Sequence, residues 1–285
     1  MPASTPPRWD LSSIYPALDS PELSAAIETI KEQTAAFVQQ LLSAPGADAP
    51  AADLAASAGR MIAALNALLT LSGTVRSYLA GFVTTDSYND TAMRLYSEFE
   101  QLGVGIQQQS LRFTAWVGSV AARLDEIIPF DPTTAAHAFF LADTAAQSRY
   151  LMPPELEDLA AELSLSGASA WNKLQNTVTS QLSIEFELDG QTQTLPLPAL
   201  INLHSHPEES VRRRAYEAEL NLLASARVPL AAALNGVKGM VNTLERRRGR
   251  VDALHSAVDA ARIDRAALEA MLSAMHASFP AFRRY

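Results

Sequence analysis

Between Ser20 and Leu124, apolar residues return every three or four positions in three long runs separated by short polar breaks. That period belongs to the α-helix, and three such runs in succession leave little besides helices packed side by side. Ser20-Pro21-Glu22 supplies an N-cap, a proline in the first turn and an acid against the helix dipole. Leu23, Ile27, Ile30, Thr34, Phe37 and Leu41 follow, to about Ser43, and Ala44–Pro50 is a turn with two prolines and a glycine. A second helix from Ala51 to about Phe82 carries Leu54, Met61, Leu65, Leu68 and Val75. After a polar break at Thr84–Asp90, a third runs to about Leu124, with Leu95, Phe99, Leu102, Ile106, Phe113, Val117 and Val120 on one side. The pattern predicts an elongated, coiled-coil-like bundle. Gly73 reads as a close helix crossing, and Gly103-Val104-Gly105 as a close-packing or kink site. The latter lacks the third glycine and the preceding strand of a dinucleotide fingerprint.

Shorter helices follow: one from Asp131-Pro132 to Tyr150, one from Pro153-Pro154 to Leu163, and one over Ala168–Gln181 after Gly167. Leu182, Ile184, Phe186 and Leu188 then alternate with Ser183, Glu185 and Glu187, the period of a half-buried strand. Asp189-Gly190 is a strong hairpin turn signal, with Gln191–Leu195 as the returning strand. Such a hairpin is marginal alone, so it must pack on helices or pair with further strands. A short helix follows Pro198, and Glu208–Gly249 reads as an antiparallel helix pair around which the rest is organised. Its stripes are Val211, Ala215, Ala218, Leu222 and Ala226, then Leu230, Leu234, Val237, Val241 and Leu244. A loop over Arg250–Ile263 leads to a last helix from Asp264, whose Ile263, Leu268, Leu272, Met275, Phe279 and Phe282 spread over more than one stripe. At the other end, residues 1–19 are extended, with Trp9, Leu11, Ile14 and Tyr15 pinned onto the body. The fold class is all-α with one small β-hairpin. Its parts are an extended segment over 1–19, an elongated helical domain over 20–181, the hairpin over 182–196, and a helical hairpin opening a second lobe over 197–285.

Composition narrows the function classes. Apolar residues make up 48% of the 285 and charged ones 19%, enough for a sizeable core. Alanine dominates the apolar set and aromatics are 7%, which favours close-packed helices. A net charge of −9 argues against nucleic acid. The absence of cysteine excludes disulfides, thiolate metal sites and a thiol nucleophile. The opening residues lack a signal-peptide core, and no run of about 18 uninterrupted apolar residues suggests a membrane span. The expectation is a cytoplasmic protein without membrane or nucleic-acid partners. Asn89-Asp90-Thr91 matches a glycosylation acceptor, which carries no weight without a secretion signal.

His204-Ser205-His206 with Glu208 and Glu209 is the only metal-like cluster. Two histidines two apart converge on one ion in a strand but diverge at a helix junction, and Pro207 with a helix start at Glu208 favours the junction. Arg212, Arg213 and Arg214 fall near Arg246, Arg247, Arg248 and Arg250 if the two helices are antiparallel. Together they could grip a carboxylate or phosphate, but Glu208, Glu209, Glu217 and Glu245 lie close enough to make them solvated ion pairs. Trp116 and Trp171 sit at helical spacing and read as core. No phosphate-binding loop and no serine-nucleophile motif occurs.

Several stretches resemble the N-terminal half of oligoendopeptidase F, of the thimet-oligopeptidase-like zinc metallopeptidases. These are RWDLSSIYPALDSPEL from Arg8, PPELEDLAAELSLSGASAWNKLQ from Pro153, RRRAYEAELN from Arg212, PLAAALNGVKGMVNTLERRRG from Pro229 and IDRAALEAML from Ile263. The resemblance implies a parent enzyme that cleaves oligopeptides in a deep channel between helical lobes. Zinc is held there by both histidines of an H-E-x-x-H helix and a later glutamate, with the motif's own glutamate as base. None of His137, His204, His206, His255 and His276 is followed by Glu, so no catalytic or zinc residue of the family transfers to any position here, and the substrate-binding residues stay unassigned. On this reading the chain is a fragment that binds no zinc of its own and forms one wall of the channel. It ends before the catalytic lobe, its natural partner, and self-associates through the face that lobe would cover. The alternative is a non-catalytic helical scaffold that binds a partner.

Overall fold

The computed structural model describes residues 10–285, so Trp9 lies outside it. Three long helices, α1 (Pro21–Leu42), α2 (Ala51–Thr85) and α3 (Asp90–Ser119), form the bundle. Their starts obey local chemistry. Ser20 accepts from Leu23 N–H and Asn89 from Ala92 N–H. Phe37 late in α1, Leu54, Met61 and Leu65 early in α2, and Phe113 and Val117 late in α3 share one buried cluster. Leu23 and Ile30, then Leu68, Val75 and Tyr78, then Phe99 and Ile106 share a second. The chain therefore runs up, down and up, with α2 in the middle. By length and mean hydropathy (1.5) α2 is apolar enough to cross a membrane, and half of its most apolar window is buried within the protein. Against the sequence expectation, an alanine-rich helix needs no uninterrupted apolar run to reach that hydropathy.

Tyr15 is buried edge-on to Tyr78, whose hydroxyl donates to Tyr15 O at 3.1 Å. Leu11 packs on the second cluster, whereas Ile14 points outward, 46% exposed. The expected close approaches at Gly73, Gly103 and Gly105 are absent: a methyl group there would meet open space.

Beyond the bundle, α4 (Leu124–Ile127), α5 (Pro132–Ala136) and α6 (Ala138–Gln147) replace the expected end of the third helix and the single helix from Asp131. The break falls at His137, whose ring Nδ1 sits 2.8 Å from Thr133 O. Leu124, Ile127, Leu141 and Ala145 close the first cluster. Then come α7 (Pro154–Leu163) and α8 (Ala168–Gln181), and the hairpin of β1 (Ser183–Leu188) and β2 (Gln191–Pro196). Asp189 and Gly190, at φ 54° and 74°, make the turn, and Phe186 pairs with Gln193. The hairpin packs on helices: Phe186 is buried with Leu197 and Leu200 of α9 (Leu197–Asn202) and with Val211, Ala215 and Leu222 of α10 (Glu209–Ser225).

The predicted antiparallel pair does not form. α10 and α11 (Arg227–Arg247) are joined by Ala226 alone and bend by 66°. One residue cannot reverse a chain, so the two stripes face different partners. α10 lies on the hairpin and α9, while α11 crosses α8 closely. At Gly236 a methyl would stand 2.3 Å from Trp171 Nε1, and Met240 Sδ accepts from Ala168 N–H at 3.1 Å. Trp171 is thus half-buried at a crossing, and Trp116, also half-buried, donates to Pro45 O at 3.0 Å. The expected loop after Gly249 contains α12 (His255–Ala260), and α13 (Arg265–Arg284) starts from an Asp264 cap that accepts from Ala267 N–H.

Candidate functional site

The two neighbouring histidines are held apart. His204, in the turn that ends α9, lies with Nε2 3.0 Å from Glu219 Oε2, at an angle that makes no hydrogen bond, and its ring is edge-on to Tyr216. His206 turns to the start of α10, where its Nδ1 accepts from Glu208 N–H at 3.1 Å. Glu208 pairs with Ser210 and Glu209 with Arg213. Among the described residues, no three histidine or carboxylate side chains gather to hold a metal. The donors of the only metal-like cluster therefore do not fit a zinc ion.

The arginine clusters are separated as well, because the bend places them at opposite ends of a kinked rod instead of one end of a pair. At the near end, Arg212 donates to His206 O and Pro207 O, and Arg214 to Glu187 O. At the far end the pairs are largely buried, not solvated. Arg248 grips Glu157 of α7 with two hydrogen bonds, of 3.0 and 2.6 Å, and the Glu157 side chain is 5% exposed. Burial pushes the Glu157 carboxyl up, but Arg248 and the Met152 N–H outweigh it and hold it below the usual carboxylate range. The Glu157 bond holds Arg248 above its ordinary value. Arg250, 10% exposed, bonds Asp259 of α12 and Gln147 Oε1, and stacks 3.8 Å from the centre of the Tyr150 ring. His255 Nε2 lies 3.3 Å from the Tyr150 hydroxyl. Burial raises the Asp259 carboxyl, yet Gln147, Arg250 and His255 hold it low. Arg248 and Arg250 are matched within the chain, while Arg246 and Arg247 are exposed and make no ion pair with any described residue. The buried pairs fasten α11 and α12 to α7 and to the end of α6, and leave neither Arg248 nor Arg250 free for a ligand.

Sequence reasoning missed Gln147, Tyr150, Glu157, His255 and Asp259. The only signal was indirect: Arg248 and Arg250 next to a helix-ending Gly249, with acids too few nearby to match them all.

What remains is surface. Leu268, Leu272, Met275, Phe279 and Phe282 recur at steps of three and four along α13, with Met271 beside them, so they form a single stripe about 100° wide where more than one was expected. No residue of α13 is buried, and Phe282 is 75% exposed. A concavity of about 900 Å³ lies beside Leu11, Tyr78, Phe82 and Asn89, and the described residues there offer no histidine.

Such a chain is a helical protein with a β-hairpin and a large uncovered apolar stripe, and its described residues assemble no metal site. Comparison gives it relatives. A family model of the N-terminal part of the M3 peptidases, described as oligopeptidase F, matches residues 121–183, from the end of the bundle into β1. The crystal structure of oligoendopeptidase-F from Enterococcus faecium superposes with a TM-score of 0.64 at 13% identity, over 81% of this chain and 46% of that one. The chain thus spans about half the length of that protein. No curated protein sequence matches. The chain resembles an oligoendopeptidase F N-terminal region, in sequence over 121–183 and in fold over most of its length.

Proposed function

We propose that this chain is the N-terminal, non-catalytic part of a metal-dependent oligopeptidase, and that it forms one wall of the channel in which short peptides are cleaved. The observation that carries this is the pairing of the two comparisons with the bare α13 stripe. A fold shared over 81% of this chain, but only 46% of a known oligoendopeptidase, leaves room for a second half, and α13 offers an uncovered face for it. Zinc and its ligands belong to that second half on this reading, since the donors present here do not fit the ion. The chain's own part is steric and positional. A wall of packed helices limits substrate length and keeps water from the bound peptide.

The test joins the halves. The chain is incubated with zinc and a quenched fluorescent oligopeptide, alone and after co-expression with the coding sequence downstream of Tyr285. The expected result is no turnover alone, and chelator-sensitive cleavage by the pair. Chelator-sensitive cleavage by the chain alone overturns the proposal. A pair that neither associates nor cleaves does so too, and returns the chain to the scaffold class.

A further inference from the structure

The hairpin has two outer edges, and the chain treats them differently. Across a two-residue turn the pair Leu188–Gln191 is hydrogen-bonded, and such pairs alternate along the ladder, so Ile184, Phe186, Gln193 and Leu195 direct their backbone groups inward. Leu197 N–H donating to Leu182 O at 3.0 Å continues the alternation. The outward groups therefore belong to Glu185 and Glu187 on β1 and to Thr192 and Thr194 on β2. The β1 edge is blocked at Glu187 O and left open at Glu185. Arg214 Nη1 donates to Glu187 O at 3.1 Å, its guanidinium lies over the Phe186 ring, and two carboxylates flank the strand. The β2 edge is bare. Gln191, Thr192, Gln193 and Thr194 are all exposed, and no other described residue bonds the outward groups of Thr192 or Thr194. Proteins blunt free edges with lysine, proline, a bulge or a covering element, and β2 has none of these before Pro196.

We propose that the β2 edge is a docking site for an extended oligopeptide, which adds as a third strand beside Thr192 and Thr194 and is held by its backbone. Two outward residues, each with one N–H and one C=O, make a grip too small for a stable dimer of copies, but suited to a short peptide that must leave again. Uncharged glutamine and threonine side chains around it set no demand on the peptide's charge. The inference deepens the reading above and rests on it for the nature of the partner.

Isotope-labelled full chain is followed by amide hydrogen exchange with a capped Thr-Val-Lys-Val-Thr peptide at about 1 mM, the scale of a few backbone hydrogen bonds. Two further peptides are N-methylated at alternate residues, one set for each parity. The plain peptide should slow exchange at Thr192 and Thr194 at least about fivefold, one methylated peptide should match it, and the other should have no effect. Thr194→Pro, which removes an outward N–H only, should weaken the response while Phe186 and Gln193 stay protected. No slowing with the plain peptide, or equal responses to both methylated peptides, overturns the proposal. Slowing that grows with protein concentration and needs no peptide also overturns it, because a second copy then fills the edge. These readouts are independent of cleavage: joined halves that cleave while the edge stays silent would refute only this inference, and the reverse result only the peptidase reading.

Discussion

The three-helix bundle and the terminal helix α13 carry the same kind of sequence and meet opposite fates. Both repeat apolar residues every three or four positions. In the bundle, Ile30, Phe37, Leu54, Leu68, Val75 and Val117 are completely buried, while along α13 nothing is. Amphipathic periodicity thus says that a helix has a face to bury, and is silent on whether this polypeptide supplies the cover. The stability of the chain rests on the first region, and its interactions are to be sought in the second.

That contrast can be broken most directly in the core. Phe113→Ala, which removes a ring packed among Phe37, Trp116 and Phe140, should cost about 3–5 kcal/mol in urea unfolding. Less than about 1 kcal/mol would mean that the bundle is not the stabilising body. Next comes the buried tie between α7 and the end of α11. Glu157→Gln leaves Arg248 without its counter-charge and should cost about 2–4 kcal/mol near neutral pH. Because the Glu157 carboxyl is held low in the folded state, the pair's contribution is present above the unfolded carboxylate value. It fades as pH drops below about 5 and through the lowered folded value. Stability against pH should therefore be flatter on the acid side in the variant, and parallel profiles would deny Glu157 that role.

Smaller again, Gly190→Val places a β-branched residue at φ 74° and should lower stability by about 1–3 kcal/mol, read as a drop in melting temperature with the bundle still helical. The smallest effect belongs to α13. Met275→Ala with Phe279→Ala should change the stability of the isolated chain by no more than about 0.5 kcal/mol, while reducing both its binding of a hydrophobic dye and its association with the downstream half. A large loss of stability from that pair would show that α13 is covered after all.

Elements with a chemical signature of their own were legible in the sequence. Ser20-Pro21 fixed the start of α1, Pro153-Pro154 that of α7, and Asp189-Gly190 the hairpin register, because each acts within a few residues. The bend at Ala226 was misread, although the sequence held a warning. A helix reversal needs a loop of a few residues, and Ser225-Ala226-Arg227 contains no glycine, proline or asparagine to make one. Gly73 and the Gly103–Gly105 step show the converse error, since a missing side chain permits a close approach without requiring one. The polar network around Arg248 and Arg250 was beyond reach. Its partners are 91 and 103 residues away in the chain, and nothing local in Glu157 or Gln147 announces them.

The bend at Ala226 also acts as a crank. One arm, α11, is bolted to α8 through Trp171 and to α7 through Glu157, and the other, α10, packs on the hairpin. At 1.5 Å per residue, the 17 residues of α10 make an arm of about 25 Å. Turning that arm by about 5° at its pivot carries its far end through about 2 Å, most of the length of a hydrogen bond. The backbone angles of one buried alanine thereby share with the α8–β1 junction in setting where the hairpin stands, and a residue that chemistry would pass over bears on a distance that function would notice.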